Sequence, residues 1–222
     1  MNDFYAHYGQ WGLVLLMVVV ASWILYRYLA PTSWREWSRA GLVQAFIIAL
    51  YAEMYGFPLT IYVLTGFFGI DLPLTSVTGH LWATLFGYGK IGAIVEMVIG
   101  MGLVFLGISL LVEGWREVYH ASREGRLATD ALYGVVRHPQ YLGIFLAIFG
   151  QLIHWPTILT LALFPIIVWA YVRLARKEEV RMIDQFGDEY RAYQDRVPMF
   201  FPRWGEWRRL FEAGSSAGER PS

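Results

Sequence analysis

The chain contains no cysteine. That absence excludes disulfides, thiolate metal sites and a cysteine nucleophile or relay. Charge is scarce as well: Asp, Glu, Lys and Arg supply 16% of the 222 residues, where a soluble domain carries about 25%. Formal net charge is zero, so bulk charge points to no nucleic-acid partner. No glycine-rich fingerprint follows a predicted strand, which argues against a Rossmann domain. No cluster has metal-ligand spacing, and no internal repeat is visible.

What the chain does have is apolar length. Hydrophobic residues make up 56% and aromatics 17%, gathered into long runs that mark an integral membrane protein. Trp11 to Leu29 has about the 20 residues needed to cross a bilayer, with Tyr26, Arg27 and Tyr28 as an interface anchor. It is too long, and too poor in upstream basic residues, for a cleaved signal peptide. Pro31-Thr32-Ser33 breaks it, and Trp34, Arg35, Trp37 and Arg39 are expected at the surface. A second span is predicted over 41–64, containing Glu53 and a break at Gly56-Phe57-Pro58. A glycine-rich loop over 66–90, with Asp71, Pro73, His80 and Lys90, precedes a third span over 91–112 that carries Glu96. A polar extension, Glu113 to Arg126, follows. The fourth span, 141–153, turns at His154-Trp155-Pro156, and the fifth returns over 157–174.

Fold class is therefore all-α, with five transmembrane helices, a C-terminal helical hairpin and an amphipathic tail. With the N-terminus outside, 17 of the 18 Lys and Arg residues fall on segments facing the cytoplasm, and Lys90 alone does not. The C-terminus is then cytoplasmic. From Lys177, the apolar residues Val180, Ile183, Phe186, Tyr190, Tyr193 and Val197 recur at three- and four-residue spacing, which predicts an amphipathic helix beginning there. Trp204, Trp207 and Phe211 among arginines read as a second anchor. The expected organisation is 1–112 for N-terminal spans, 113–212 for the hinge, hairpin and tail, and 213–222 as a disordered end.

Chemistry concentrates between Tyr133 and Gly143, in the run Tyr-Gly-Val-Val-Arg-His-Pro-Gln-Tyr-Leu-Gly. Pro139 suits the first turn of a helix, where its missing N–H costs nothing. His138 then lies at the helix start beside free backbone donors. Tyr133 and Tyr141 offer aromatic faces for a purine ring or a sulfonium. The plain alternative is an interface belt of Arg, His and Tyr. Glu178 and Glu179 follow Arg173, Arg176 and Lys177; they either bind a ligand amine or ribose, or are solvated and cap the tail helix. Glu53 and Glu96, inside spans, are functional candidates by position or a hydrogen-bonded packing pair. His154 reads as an interface residue. Gly100, Gly102 and Gly107 read as close helix packing.

Taken together, Arg137-His138-Pro139-x-Tyr141-x-Gly143, an apolar hairpin, Glu178-Glu179, Phe186-Gly187-x-x-Tyr190-x-x-Tyr193 and Val197-Pro198 resemble the isoprenylcysteine carboxyl methyltransferase family. The related phospholipid methyltransferases are similar. The resemblance covers roughly 125–202; the first 110 residues share only their membrane spans. It implies an integral membrane methyltransferase using S-adenosylmethionine, with the cofactor in a cytoplasmic pocket closed by the tail and a lipophilic acceptor arriving from the bilayer. Carried over, cofactor positions are Leu127, Ala128, Tyr133, His138, Pro139, Gln140, Tyr141 and Glu178. The family's substrate-facing basic residue corresponds to Arg173 or Arg176. Acceptors of this class are a prenylated carboxylate, a phospholipid amine, an isoprenoid or a small thiol. Two other readings stand beside it: an NADPH-dependent enzyme similar to sterol reductases, and a non-catalytic membrane binding protein.

Overall fold

The computed structural model describes residues 8–29, 34–72, 79–206 and 208, with backbone alone at 29 and 34–39. The Pro31-Thr32-Ser33 break, the side chains of Trp34, Arg35, Trp37 and Arg39, Pro73, Trp207, Phe211 and the 213–222 tail lie outside the described residues. Every described element is helical. In chain order these are α1 (Trp11–Leu29), α2 (Trp34–Tyr51), a π-turn (Ala52–Gly56), α3 (Leu59–Phe68), α4 (Leu81–Leu85), α5 (Gly89–Arg123), a 3-10 turn (Ala131–Gly134), α6 (Pro139–His154), α7 (Ile158–Phe186) and α8 (Asp188–Arg196).

By length and composition α1, α5 and α7 can each cross a membrane, and the pair 40–56 and 59–68, bent by 76°, adds a fourth if it counts as one span. This is an integral membrane protein. At 16 residues α6 falls short of the roughly 20 needed for an independent crossing. The expected break at Gly56-Phe57-Pro58 is present and bends the second span sharply, because the π-turn and Pro58 interrupt its hydrogen-bond ladder. One boundary differs from expectation. The amphipathic tail does not start at Lys177. Helix α7 runs unbroken through Glu178 and Glu179 to Phe186, and Gly187, at φ 57° and ψ −126°, ends it.

The described residues divide into two compact units: those up to 104 with 148–168, and 105–147 with those from 169. In the first, two intramembrane carboxyls have ordinary partners. Glu53 is buried and accepts the Thr60 N–H at 2.8 Å, in the first turn of α3. Glu96 is buried and accepts the Ala83 N–H in α4, with His80 Nδ1 at 3.7 Å. They are not paired with each other; each satisfies a helix donor that would otherwise be costly at membrane depth. His154 is half-buried, its ring 5.2 Å from that of His80. Helix α7 opens on a reciprocal cap: the Thr157 and Thr160 N–H groups each donate to the other's hydroxyl at 3.1 Å.

The second unit is built on a buried cluster of Leu110, Leu132, Val135, Val136 and Leu142. Here α5 meets α6 at backbone distance. A Cβ on Gly107 would strike the carbonyl oxygen of Gly143, and one on Gly143 would strike that of Gly107. About two helical turns on, Gly114 lies against Pro139 and Gln140. This close approach fixes where α6 begins, and hence where His138 sits. Gly107→Leu is therefore expected to cost about 1–3 kcal/mol by overpacking against backbone. Gly102→Leu is the control, since a Cβ there meets nothing within 4 Å. Apparent melting temperatures in nanodiscs check this, and equal melting of the two variants would contradict the tight contact.

Candidate cofactor site

Helix α5 ends at Arg123, and Gly125, at φ 67°, turns the chain. The following segment runs through the 3-10 turn to His138, whose carbonyl accepts the Leu142 N–H at 3.1 Å as α6 begins at Pro139. Against this hinge lies the strap that follows α8. The Arg137 N–H donates to the Pro198 carbonyl at 2.9 Å and the His138 N–H to that of Met199 at 3.1 Å. The Tyr193 hydroxyl donates to the Tyr133 carbonyl at 2.7 Å. Leu127, Tyr190, Tyr193 and Val197 form the apolar patch beneath.

The hinge, α7 and the strap converge on a charged cluster. Arg137 Nε donates to Glu179 Oε1 at 2.7 Å, with side-chain exposures of only 11% and 9%. Its Nη1 donates to the carbonyls of Gln194 and Val197. Gln194 Nε2 donates to Glu179 Oε2 at 3.1 Å. His138 stands between the two glutamates, with Nε2 3.3 Å from Glu179 Oε1 and Nδ1 3.8 Å from Glu178 Oε2. The Tyr141 hydroxyl donates to Glu178 Oε1 at 2.6 Å. The His138 and Tyr141 rings are parallel within 3° at 5.5 Å, and Phe200 lies 5.7 Å from His138.

Electrostatics follow from this geometry. Glu178 and Glu179 project from the polar end of α7, beyond its apolar stretch. Burial opposes ionisation of Glu179, yet hydrogen bonds from His138 and Arg137 outweigh it and hold its carboxyl below the usual carboxylate range. Burial, and then the nearby charge of Glu117, pushes the Tyr133 phenol well up. Tyr190 and Tyr193 are likewise raised by burial. All three remain protonated near neutrality. The cluster holds the Glu178 and Glu179 carboxylates, the Arg137 guanidinium paired with the second of them, and the parallel rings of His138 and Tyr141. Such a set suits a ligand that brings a positive charge and hydrogen-bonding groups together.

The structure brings together His138, Tyr141 and Glu178 of the expected residues. Tyr133 is buried beside them through Tyr193, and Leu127 lies in the apolar patch. Pro139 is buried at the first position of α6; Ala128 and Gln140 are half-buried on the hinge. Arg173 and Arg176 are not drawn in. Both are exposed, and the Arg173 guanidinium lies 5.3 Å from the centre of the Trp169 ring. The cause is helical phase: positions two and five residues before Glu178 lie about 200° and 140° around the helix from it. Sequence reasoning gave Glu179, with Glu178, as a ligand-binding or capping carboxylate, whereas the structure engages it within the protein through Arg137 and Gln194. No role was assigned to Arg137, Gln194 or Phe200; the Arg-His-Pro run signalled the first, whereas Gln194 and Phe200 carry no pattern of their own.

Part of the chain is similar to known proteins. The family model for isoprenylcysteine carboxyl methyltransferase matches residues 93–184. Over this region the chain is similar to that family. It is similar to a protein-S-isoprenylcysteine O-methyltransferase of Schizosaccharomyces pombe, 30% identical over 104 residues and covering 44% of each chain. It is also similar to methanethiol S-methyltransferase 1 of Bradyrhizobium diazoefficiens, 42% identical over 84 residues, 38% of this chain and 27% of the other. A methanethiol S-methyltransferase of a Pseudomonas species is 26% identical over 203 residues, 75% of each chain. The first two matches thus span less than half the length of those relatives. No solved structure matches the chain.

Proposed function

We propose that this chain is a membrane methyltransferase that takes its methyl group from S-adenosylmethionine and passes it to a lipophilic acceptor. The observation that carries the reading is the Glu178 carboxylate, held by the Tyr141 phenol at 2.6 Å beside the parallel rings of His138 and Tyr141. Those residues fit the cofactor chemically. Glu178 takes its ammonium or ribose end, and the aromatic faces take a cation or a purine. Leu127, Ala128, Tyr133, Pro139 and Gln140 complete the binding surface along the hinge. The methyltransferase names of relatives from yeast and bacteria support the same reading.

Bound S-adenosylmethionine supplies a sulfonium methyl whose S–C bond breaks, its electron pair returning to sulfur, as an acceptor oxygen, nitrogen or sulfur forms the new bond. The protein's task is alignment, and orientation alone is worth roughly 7–11 kcal/mol. The hydrogen bond from Tyr141 fixes Glu178 before any ligand arrives, which lowers the cost of that alignment. A carboxylate acceptor needs no base. A thiol or amine must first lose a proton.

Loss of a hydrogen bond to a charged group costs on the order of 1.5–3 kcal/mol. Glu178→Gln should therefore weaken S-adenosylmethionine binding about tenfold or more, and His138→Ala should weaken it too. Calorimetry in nanodiscs, with NADPH as the competing ligand, measures this; two folded variants that bind like the parent would show the site to be elsewhere.

In this reading Arg173 and Arg176, on the outward side of α7, meet the acceptor's polar head at the membrane surface while its apolar part stays in the bilayer. The ring of Trp169 beneath Arg173, itself exposed, supports an interfacial position. Replacing the responsible arginine with Ala should lower methyl transfer while S-adenosylmethionine affinity holds. Turnover is followed with labelled methyl on a prenylcysteine analogue, a phospholipid amine and methanethiol. Unchanged turnover in both variants would remove the arginines from the reaction, and transfer to water-soluble acceptors alone would rule out entry from the bilayer.

The orientation that supports this places five crossings, α6 completing a hairpin with α7, the N-terminus outside and the site at the cytoplasmic face. It rests on the distribution of Lys and Arg. A reporter active only in the cytoplasm should give signal when fused after Pro202 and none near Asp71. The reverse pattern refutes the orientation.

A further inference from the structure

We propose that Arg137 is a positioning residue: through Glu179 and the carbonyls of the strap it holds His138 and Glu178 in register for the ligand. The inference rests on the methyltransferase reading for its kinetic consequence, but its structural core does not depend on it. Adjacent glutamates on α7 divide the work. Both oxygens of Glu179 are engaged within the protein, Oε1 by Arg137 and His138 and Oε2 by Gln194. Glu178 is turned instead toward Tyr141. One residue along the helix is a rotation of about 100°, enough to give neighbouring identical side chains different tasks.

Arg137 reaches three acceptors on two segments: the Glu179 carboxylate on α7 and the carbonyls of Gln194 and Val197 at the end of α8. Those carbonyls belong to the last turn of a helix, where they lack onward helical partners and where a cation is favoured. With α8 ended in this way, the next residues run alongside the hinge. Pro198 and Met199 accept the main-chain N–H groups of Arg137 and His138. Phe200 is then delivered to within 5.7 Å of the His138 ring and 5.5 Å of the Phe145 ring. The planar fork of arginine is needed for this; the ammonium of lysine is a point charge that cannot span the same acceptors.

Four changes test the proposal in nanodiscs: Arg137→Ala, Arg137→Lys, Gln194→Leu and the exchange Arg137→Glu with Glu179→Arg. Two readouts are taken: amide hydrogen exchange over residues 194–200 without added ligand, and KM and kcat for S-adenosylmethionine. In Arg137→Ala, exchange over the strap should rise about tenfold or more as local opening becomes easier. KM should rise by a larger factor than kcat falls, since the displaced groups bind rather than react. Lysine should restore part of the protection. The charge exchange should restore neither readout, because a glutamate at 137 cannot donate to two carbonyls. Gln194→Leu, which leaves the Arg137 contacts whole, should raise strap exchange less than Arg137→Ala does. Arg137→Lys, which keeps the charge but cannot span the same acceptors, decides the matter if Arg137→Ala does not fold. Unaltered protection over 194–200 in Arg137→Ala or, where that fails to fold, in Arg137→Lys overturns the proposal. So does full rescue by the exchanged pair, which would reduce Arg137 to half of an ordinary ion pair. A parent protein that binds no S-adenosylmethionine would refute the proposed function, while the exchange measurements would still decide the role of Arg137.

Discussion

The ion pair between Arg137 and Glu179 is nine-tenths removed from water, and most of the site's geometry is referred to it. Removing one partner of such a pair costs on the order of 3–5 kcal/mol, because the other charge stays buried without compensation. That penalty works in favour of order. Glu179 is satisfied by the guanidinium and His138 at Oε1 and by Gln194 at Oε2. Hinge, α7 and α8 are each fixed by the same few polar atoms, and the second unit's apolar cluster needs only to exclude water around them.

Inside the membrane the polar economy is different. Glu53 and Glu96 would stand out in any sequence search for catalytic acids. Both are occupied with helix N–H groups at interruptions of the chain, on Thr60 and Ala83. A break in a membrane helix exposes donors that lipid cannot satisfy. A carboxylate nearby in sequence is a compact remedy, because its length reaches across the gap. The 76° bend and the short helix α4 are tolerable on those terms.

Much of this was legible beforehand. Long apolar runs delimit α1 and mark the membrane-spanning part of α5, which continues to Arg123, since membrane crossing imposes its length directly on sequence. The Arg-His-Pro-x-Tyr run located the start of α6, and Glu178 followed from its place in the same pattern. The passage of α7 through 175–186 was not legible. A helix leaving the bilayer changes its surroundings but not its backbone, so the charged residues after Leu174 looked like a new element. The true signal was Gly187, the first residue there unable to continue the helix. The outward direction of Arg173 and Arg176 depended on that continuity, because phase relative to Glu178 has meaning only along one unbroken helix. The partners of Glu53, Glu96 and Arg137 were hidden for another reason: most are backbone atoms, which every residue carries.

Continuity of α7 also makes it a measuring rod. Its 29 residues rise about 44 Å at about 1.5 Å each, against roughly 30 Å of hydrocarbon. Glu178 stands 20 residues beyond Ile158, which is about 30 Å along the axis. A rod whose first turn is seated at one edge of the hydrocarbon therefore presents its carboxylates at the other edge, at the level where the polar end of a lipid resides. Depth is set by residue count, so inserting or deleting a single residue between Ile158 and Glu178 would both shift that level and swing the carboxylate away from Tyr141.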